Sequence, residues 1–225
     1  MSAAATAPSR RLRLAVMASG GGSNLGAILE ACRTGRIAAE VVVVISDKPA
    51  ARALTRASDV GIPALSIPPE ADETRESHGE RLLAALGPFD ADLVVLAGYM
   101  RILSTDLVQR LRGRLINIHP SLLPRHKGLH THRRALEAGE PEHGCTVHYV
   151  TPELDGGPAV LQAKVPVLPG DDETALAARV LAREHVIYPK AIGWIAAGRL
   201  LCPDGLPMLD GRPLTAPLLD DGSLA

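Results

Sequence analysis

Val41 to Ile45 is a run of five consecutive β-favouring residues with no polar interruption, and Leu93 to Ala97 repeats the pattern. A strand that is apolar toward both faces belongs inside a parallel sheet with helices packed on each side. Helical patterns separate such runs. One follows the apolar run Leu12 to Ala18, through Leu25, Ile28, Leu29 and Cys32, and ends near Gly35. Others cover Ala50 to Val60 and Thr74 to Leu86, with a weak strand at Pro63 to Ile67 between them. Strands alternating with helices at this spacing mean βαβ units with right-handed crossovers. The predicted fold is α/β: a Rossmann-like, open, mostly parallel twisted sheet with helices on both faces, forming a single domain over 13–199.

Beyond Pro120 the alternation loosens. Leu122 to His132 contains Pro124, Gly128 and several basic residues and reads as an ordered loop, followed by a short helix over Arg133 to Ala138. Thr146 to Val150 alternates like a strand with one exposed face, and Val160 to Val165 resembles another. Asp171 and Asp172 form an N-cap signal ahead of a long helix ending near Gly198, which Pro189 is expected to kink or divide. Residues 200–225 read as short edge strands and turns on the same domain, and Met1 to Leu12 as a disordered tail.

Composition narrows the partners. With 2% aromatic residues there is no platform for stacking single-stranded bases. A net charge of −1 gives no electrostatic reason to bind nucleic acid or an anionic membrane. Cys32, Cys145 and Cys202 are odd in number and far apart, which argues against a disulfide framework or thiolate zinc site and fits a reducing compartment. Without a long apolar span or a signal-peptide core, the expected location is cytoplasmic, and the expected partners are small molecules. The expected oligomeric state is a monomer or weak homodimer.

The chemistry concentrates in Asn117-Ile118-His119-Pro120. Asn117 and His119, two apart on a strand, face one space, while Ile118 turns into the core and Pro120 ends the strand. Strand carboxyl ends are where open α/β sheets bind ligands. Asn117 there suits donation to a carbonyl oxygen that gains charge, and His119 suits supplying a proton. The same tetrapeptide also suits a plain turn. Ser19-Gly20-Gly21-Gly22-Ser23-Asn24 lies between a strand and a helix, where backbone N–H groups bind phosphate. A nicotinamide-type loop is the rival reading, with Gly20, Gly22 and Gly26 in series and Asp47 placed as a ribose-binding acid. Against it, no tyrosine is followed four residues later by lysine.

Asp155 sits in a glycine-rich bend from which a carboxylate can be aimed at another strand's end, and near His119 it would favour the charged imidazole. His130 and His132 invite a metal reading, but no ligand set at recognisable spacing completes it, so no metal is expected. Arg125, His126, Lys127, Arg133 and Arg134 form a basic cluster, either solvated surface charge or an attractor of an anionic substrate.

Taken together, Ser19 to Leu25, Ala97-Gly98-Tyr99-Met100-Arg101-Ile102-Leu103, Asn117 to Pro124, Gly128 to His132 and Leu154 to Pro158 resemble the phosphoribosylglycinamide formyltransferases over about 14–198. The Asn-x-His…Asp trio is shared with the wider 10-formyltetrahydrofolate hydrolase and transferase group. The resemblance implies that Asn117, His119 and Asp155 are catalytic and that 10-formyltetrahydrofolate is the formyl donor. It implies that Gly22, Ser23, Asn24 and Glu184 bind the phosphoribosylglycinamide. It gives the folate Arg75, Met100, Arg101, Ile102, Leu103, Asn117, Thr151, Pro152, Glu153, Leu154 and Asp155. Gly21 departs from the family pattern, where a larger polar residue is common, and Arg125-His126-Lys127 is more basic than usual. The reaction implied is formyl transfer to the glycinamide amine in purine biosynthesis. A formyltetrahydrofolate hydrolase, a methionyl-tRNA formyltransferase and a non-enzymatic nucleotide-binding module are the competing readings.

Overall fold

The first strand, β1 (Leu12–Met17), is buried from Leu14 onward, and its side chains sort by parity. Leu14 and Val16 enter a core on one face of the sheet, and Ala15 and Met17 enter a second core on the other, as the two-residue repeat of a strand requires. In the computed structural model, which describes residues 10–222, four more parallel strands flank β1. These are β2 (Ala39–Ser46), β3 (Ala64–Ser66), β4 (Leu93–Leu96) and β5 (Leu115–His119), in the spatial order β3-β2-β1-β4-β5. The order reverses between β1 and β4, which is where this kind of sheet opens a crevice beyond its strand ends.

Helices α1 (Ser23–Arg33) and α2 (Arg52–Ser58) place Leu25, Ile28, Ala53 and Ala57 in the first core. Helices α3 (Arg75–Leu86) and α4 (Thr105–Arg110) place Leu82, Leu86, Leu107 and Val108 in the second. The sequence pattern did not reveal α4, whose single-turn apolar pair is too short to show a period; its start is secured by Ser104, whose hydroxyl accepts from Leu107 N at 3.2 Å. The helix expected over 50–60 is shorter, as is its apolar face.

The second half adds α5 (Thr131–Glu137), β6 (Glu142–Tyr149), β7 (Ala159–Pro166) and α6 (Glu173–Ala196). The helix expected at Arg133 begins at Thr131, because His130 turns the chain into it with a left-handed φ of 58°. Strand β6 runs antiparallel to both β5 and β7. It is four residues longer at its start than the pattern predicted, and it has no exposed face: every residue from His143 to Tyr149 is buried. Its polar positions face loops instead of solvent. Thr146 Oγ1 donates to Ser121 O at 2.7 Å and accepts from Leu123 N at 3.1 Å, which ties down the chain after β5.

Asp172 caps α6 by accepting from Ala175 N at 2.7 Å, and Pro189 lies inside the helix without dividing it. A proline there disfavours the helix by about 3 kcal/mol. Ile187, Tyr188, Ala191 and Ile192, all fully buried around it, contribute about 1.5–3 kcal/mol for each large side chain, so packing wins. The Tyr188 hydroxyl reaches Leu96 O at 2.9 Å and Ile116 O at 3.2 Å, pinning α6 against β4 and β5.

The remaining residues form a small antiparallel sheet of β8 (Leu200–Leu201), β9 (Met208–Leu209) and β10 (Arg212–Pro213). Strand β11 (Leu218–Leu219) then joins the main sheet beside β7. Asp220, buried just after it, binds Arg183 at 2.7 Å and Lys190 at 2.6 Å on α6. The predicted tail falls mostly on residues 1–9, outside the described residues; Arg10 pairs with Asp92 and Leu12 already begins β1.

Candidate active site

Because β1, β4 and β5 are parallel neighbours, the loops leaving their carboxyl ends emerge side by side. Ser19 N donates to Gly98 O at 3.0 Å, which joins the first two loops. The antiparallel pairing of β6 with β5 then sets Asn117 directly opposite His148. Opposed residues of such a pair share a face, and Asn117 Nδ2 lies 3.1 Å from His148 Nε2.

Hydrogen-bond logic orients this pair. His148 Nδ1 is 3.0 Å from Tyr149 O, which can only accept, so Nδ1 carries the proton. Burial drives the His148 pKa down to about 4, outweighing the favourable Tyr149 carbonyl and the Asp155 charge. The ring is therefore neutral, Nε2 is an acceptor, and the Asn117 amide presents its NH₂ to it. One hydrogen of that NH₂ is used and the second is free to point into the site.

His119 ends β5 and is held from two sides. Its Nε2 donates to His126 O at 3.0 Å, and its Nδ1 faces Asp155 Oδ2 at 3.5 Å. Nε2 therefore carries a ring proton, and Nδ1, farther from Asp155 than a hydrogen bond, is left to the cavity. Asp155 is nearly buried in the bend between β6 and β7, with a left-handed φ of 47°. Gly128 N donates to its Oδ2 at 2.8 Å, and its Oδ1 lies 3.8 Å from His148. Gly157 lets this bend pass β6, since a side-chain carbon there would overlap the Tyr149 carbonyl.

Gly22 caps α1 with a left-handed φ of 67°, and a β-carbon on it would sit 2.9 Å from Ala53. Among the described residues no side chain caps α1, so its first-turn amides remain available to an anion. Asn24 does not offer its side chain outward: Nδ2 donates to Glu184 Oε2 at 2.7 Å, and both residues are buried. Glu184 and Tyr188 are four apart on α6 and share a face, so the bonds of Tyr188 to β4 and β5 also set Glu184 against α1. Burial raises the Glu184 pKa, and the Asn24 amide opposes the shift.

A cavity of about 520 Å³ lies over the trio, bordered by Met100, Asn117, His119, Leu129, His130 and Asp155. Behind Asn117 a narrower hollow of about 90 Å³ runs between Arg101–Leu103 and Thr151–Asp155, with His148 in its wall. Arg75 borders neither. It lines a third, polar hollow of about 290 Å³ that touches the others through Met100, Arg101 and Ile102. Gly22, Ser23, Asn24 and Glu184 stand outside all three, at the adjoining end of β1.

The rival reading of Asp47 as a ribose-binding acid does not fit, because Ser19 Oγ donates to it at 2.5 Å and both are buried. The basic cluster is largely paired: Arg125 and His126 with Glu140, Lys127 with Glu153, Arg133 with Glu173. Arg134 binds Lys127 O. His132 Nδ1 meets His143 Nε2 at 3.2 Å, and among the described residues no three His, Cys, Asp or Glu side chains converge as a ligand set. The site residue missed in the sequence is His148. Its only signal was a polar position in the β6 alternation, read there as solvent-facing.

Residues 12–192 match the model of a family described as formyl transferase. The chain is 50% identical over 203 residues to the phosphoribosylglycinamide formyltransferase of Escherichia coli (strain K12), covering 90% of this chain and 96% of that protein. The structure of the phosphoribosylglycinamide formyltransferase of Coxiella burnetii superposes with a TM-score of 0.88 at 44% identity, covering 93% of this chain and all of that one. A formyltetrahydrofolate deformylase from Pseudomonas putida KT2440 has a TM-score of 0.81 at 29% identity, covering 91% of this chain and 72% of that one.

Proposed function

The chain belongs to the formyl transferase family, and from that membership we infer that it is an enzyme moving the formyl group of 10-formyltetrahydrofolate to the primary amine of N1-(5-phospho-D-ribosyl)glycinamide, in purine biosynthesis. The products are the N-formyl ribonucleotide and tetrahydrofolate. The observation that carries the assignment of roles is the convergence of Asn117, His119 and Asp155 on one cavity, at strand ends next to an uncapped helix start.

When the amine attacks the formyl carbon, the formyl oxygen gains charge. Asn117 donates to it the Nδ2 hydrogen that His148 leaves free. His119 Nδ1 stands farther from Asp155 than a hydrogen bond, so its proton is available to the oxyanion and then to the departing folate nitrogen. Asp155 holds a negative charge beside that ring and takes up the surplus proton of the amine through water. The amides of Gly22, Ser23 and Asn24 receive the ribonucleotide phosphate, and Glu184, fixed by Asn24, stands on the glycinamide side. The folate pterin fits the hollow between Met100–Leu103 and Thr151–Asp155. Arg75 and Arg101 have no ion-pair partner among the described residues and suit the carboxylates of its glutamate.

We place the protein in the cytoplasm, working on small molecules as a monomer or weak homodimer. In support, no described helix is long and apolar enough to cross a membrane, and the cysteines are free. Sedimentation velocity checks the oligomeric state. The catalytic unit is 13–199, with the described residues of 200–225 part of the same domain; the seat of β11 in the main sheet supports this.

The test follows folate absorbance with 10-formyltetrahydrofolate, with and without the ribonucleotide. Turnover should require the ribonucleotide; turnover without it would favour the deformylase reaction of the Pseudomonas putida relative. Asn117→Ala and His119→Ala should each lower kcat by about 10²–10³ while ribonucleotide binding persists. Near-normal turnover in either variant refutes the roles given to them.

A further inference from the structure

Asp47 follows β2 and is buried, yet it lines none of the cavities over the trio, and among the described residues no basic side chain is bonded to it. It accepts from Ser19 Oγ at 2.5 Å, and the same hydroxyl accepts from Met100 N at 2.8 Å. A carboxylate can only accept, so the hydroxyl proton is committed to Asp47 and the oxygen's lone pairs are turned to the Met100 amide. A charge-assisted bond on one side of a hydroxyl also strengthens the bond on its other side. Met100 opens the segment 100–103 that walls the hollow behind Asn117 and the cavity over His119.

The glycine loop does not need this hydroxyl. Ala53 N donates to Gly20 O at 3.1 Å, and Arg56 Nε donates to Gly21 O at 2.8 Å. The Ser19 amide is separately bonded to Gly98 O. The reach of Asp47 is thus toward the loop after β4. Tyr99 lies there too, buried, its phenol held protonated first by burial and then by the neighbouring Asp47 charge.

We propose that Asp47 and Ser19 are positioning residues for the folate cosubstrate: Asp47 orients the Ser19 hydroxyl, and that hydroxyl holds the Met100 amide and sets the 100–103 wall. This rests on the reading that Met100 to Leu103 contact the folate.

Steady-state kinetics with both substrates varied, on Ser19→Ala, Asp47→Ala, the double variant, Asp47→Asn and Ile102→Ala, tests it, with a thermal melt of each. Ser19→Ala and Asp47→Ala should raise KM for 10-formyltetrahydrofolate about 5-fold or more, the effect of one lost bond to a part-buried amide. KM for the ribonucleotide and kcat should stay within about twofold. The double variant should match the singles. Asp47→Asn, whose Oδ1 still accepts from Ser19, should restore most of the folate KM. If Ile102→Ala raises the folate KM and folded Ser19→Ala does not, the positioning role is overturned and the wall reading stands. If Ile102→Ala is silent as well, the wall reading falls and takes the proposal with it. Equal rises in both KM values would mark a merely structural role and also overturn it. Should Asp47→Ala not fold, Ser19→Ala and Asp47→Asn decide.

Discussion

Replacing His148 by leucine removes the acceptor that holds the Asn117 carboxamide and leaves the rest of the trio in place. The bond lost is a neutral one at 3.1 Å, worth about 0.5–1.5 kcal/mol. The freed amide then turns between two faces, only one of which offers a hydrogen to the formyl oxygen. That lost preference is the whole of the bond's contribution, so kcat should fall by at most about 2–13-fold, well short of the loss expected for Asn117→Ala. The sharper test is a cycle. If His148 acts through Asn117, His148→Leu should have almost no effect on kcat in an Asn117→Ala background. The assay is kcat by folate absorbance at saturating ribonucleotide for the four proteins, with melts to establish folding. An equal fold-loss in both backgrounds would refute the reasoning and move the role of His148 to Asp155, 3.8 Å away.

Acid should loosen the protein through the same ring. His148 has a folded pKa pushed by burial from 6.5 to about 4, and His143 is lowered in the same direction. Between those values the unfolded chain binds a proton that the folded chain refuses. Stability is therefore full above about pH 6.5 and falls as pH drops toward 4, by about 3 kcal/mol for His148. Urea midpoints at pH 7 and pH 4.5 check this, and His148→Leu should flatten part of the slope; an unchanged slope counts against it. Gly22→Ala forces a β-carbon into a left-handed turn 2.9 Å from Ala53. It should destabilise the protein by about 1–2 kcal/mol and raise KM for the ribonucleotide more than for the folate, and the reverse order would contradict the placement of the phosphate.

Much of the first half was legible because buried parallel strands leave no choice of face. Val41–Ile45 lies within β2, and Leu93–Ala97 overruns β4 by one residue, since a run apolar in every position has nowhere to go but between two helix layers. The glycine loop was legible because Gly22 needs a left-handed φ that other residues resist. Thr146 and His148 misled for the opposite reason. Polar alternation means water only if nothing else covers that face, and here the loop after β5 and the Asn117 amide cover it.

The sequence alone determined the layers, the strand ends and the chemical types gathered at them, because periodicity and turn-forming residues act over a few neighbouring positions. Only the tertiary structure decided which groups meet. The register of β6 against β5 put His148 opposite Asn117, the bend after β6 brought Asp155 to His119, and α6 carried Glu184 to Asn24 across 160 residues of chain. Local pattern holds no information about such pairings, because they arise from hydrogen bonds and packing between segments whose distance along the chain says nothing of their distance in space.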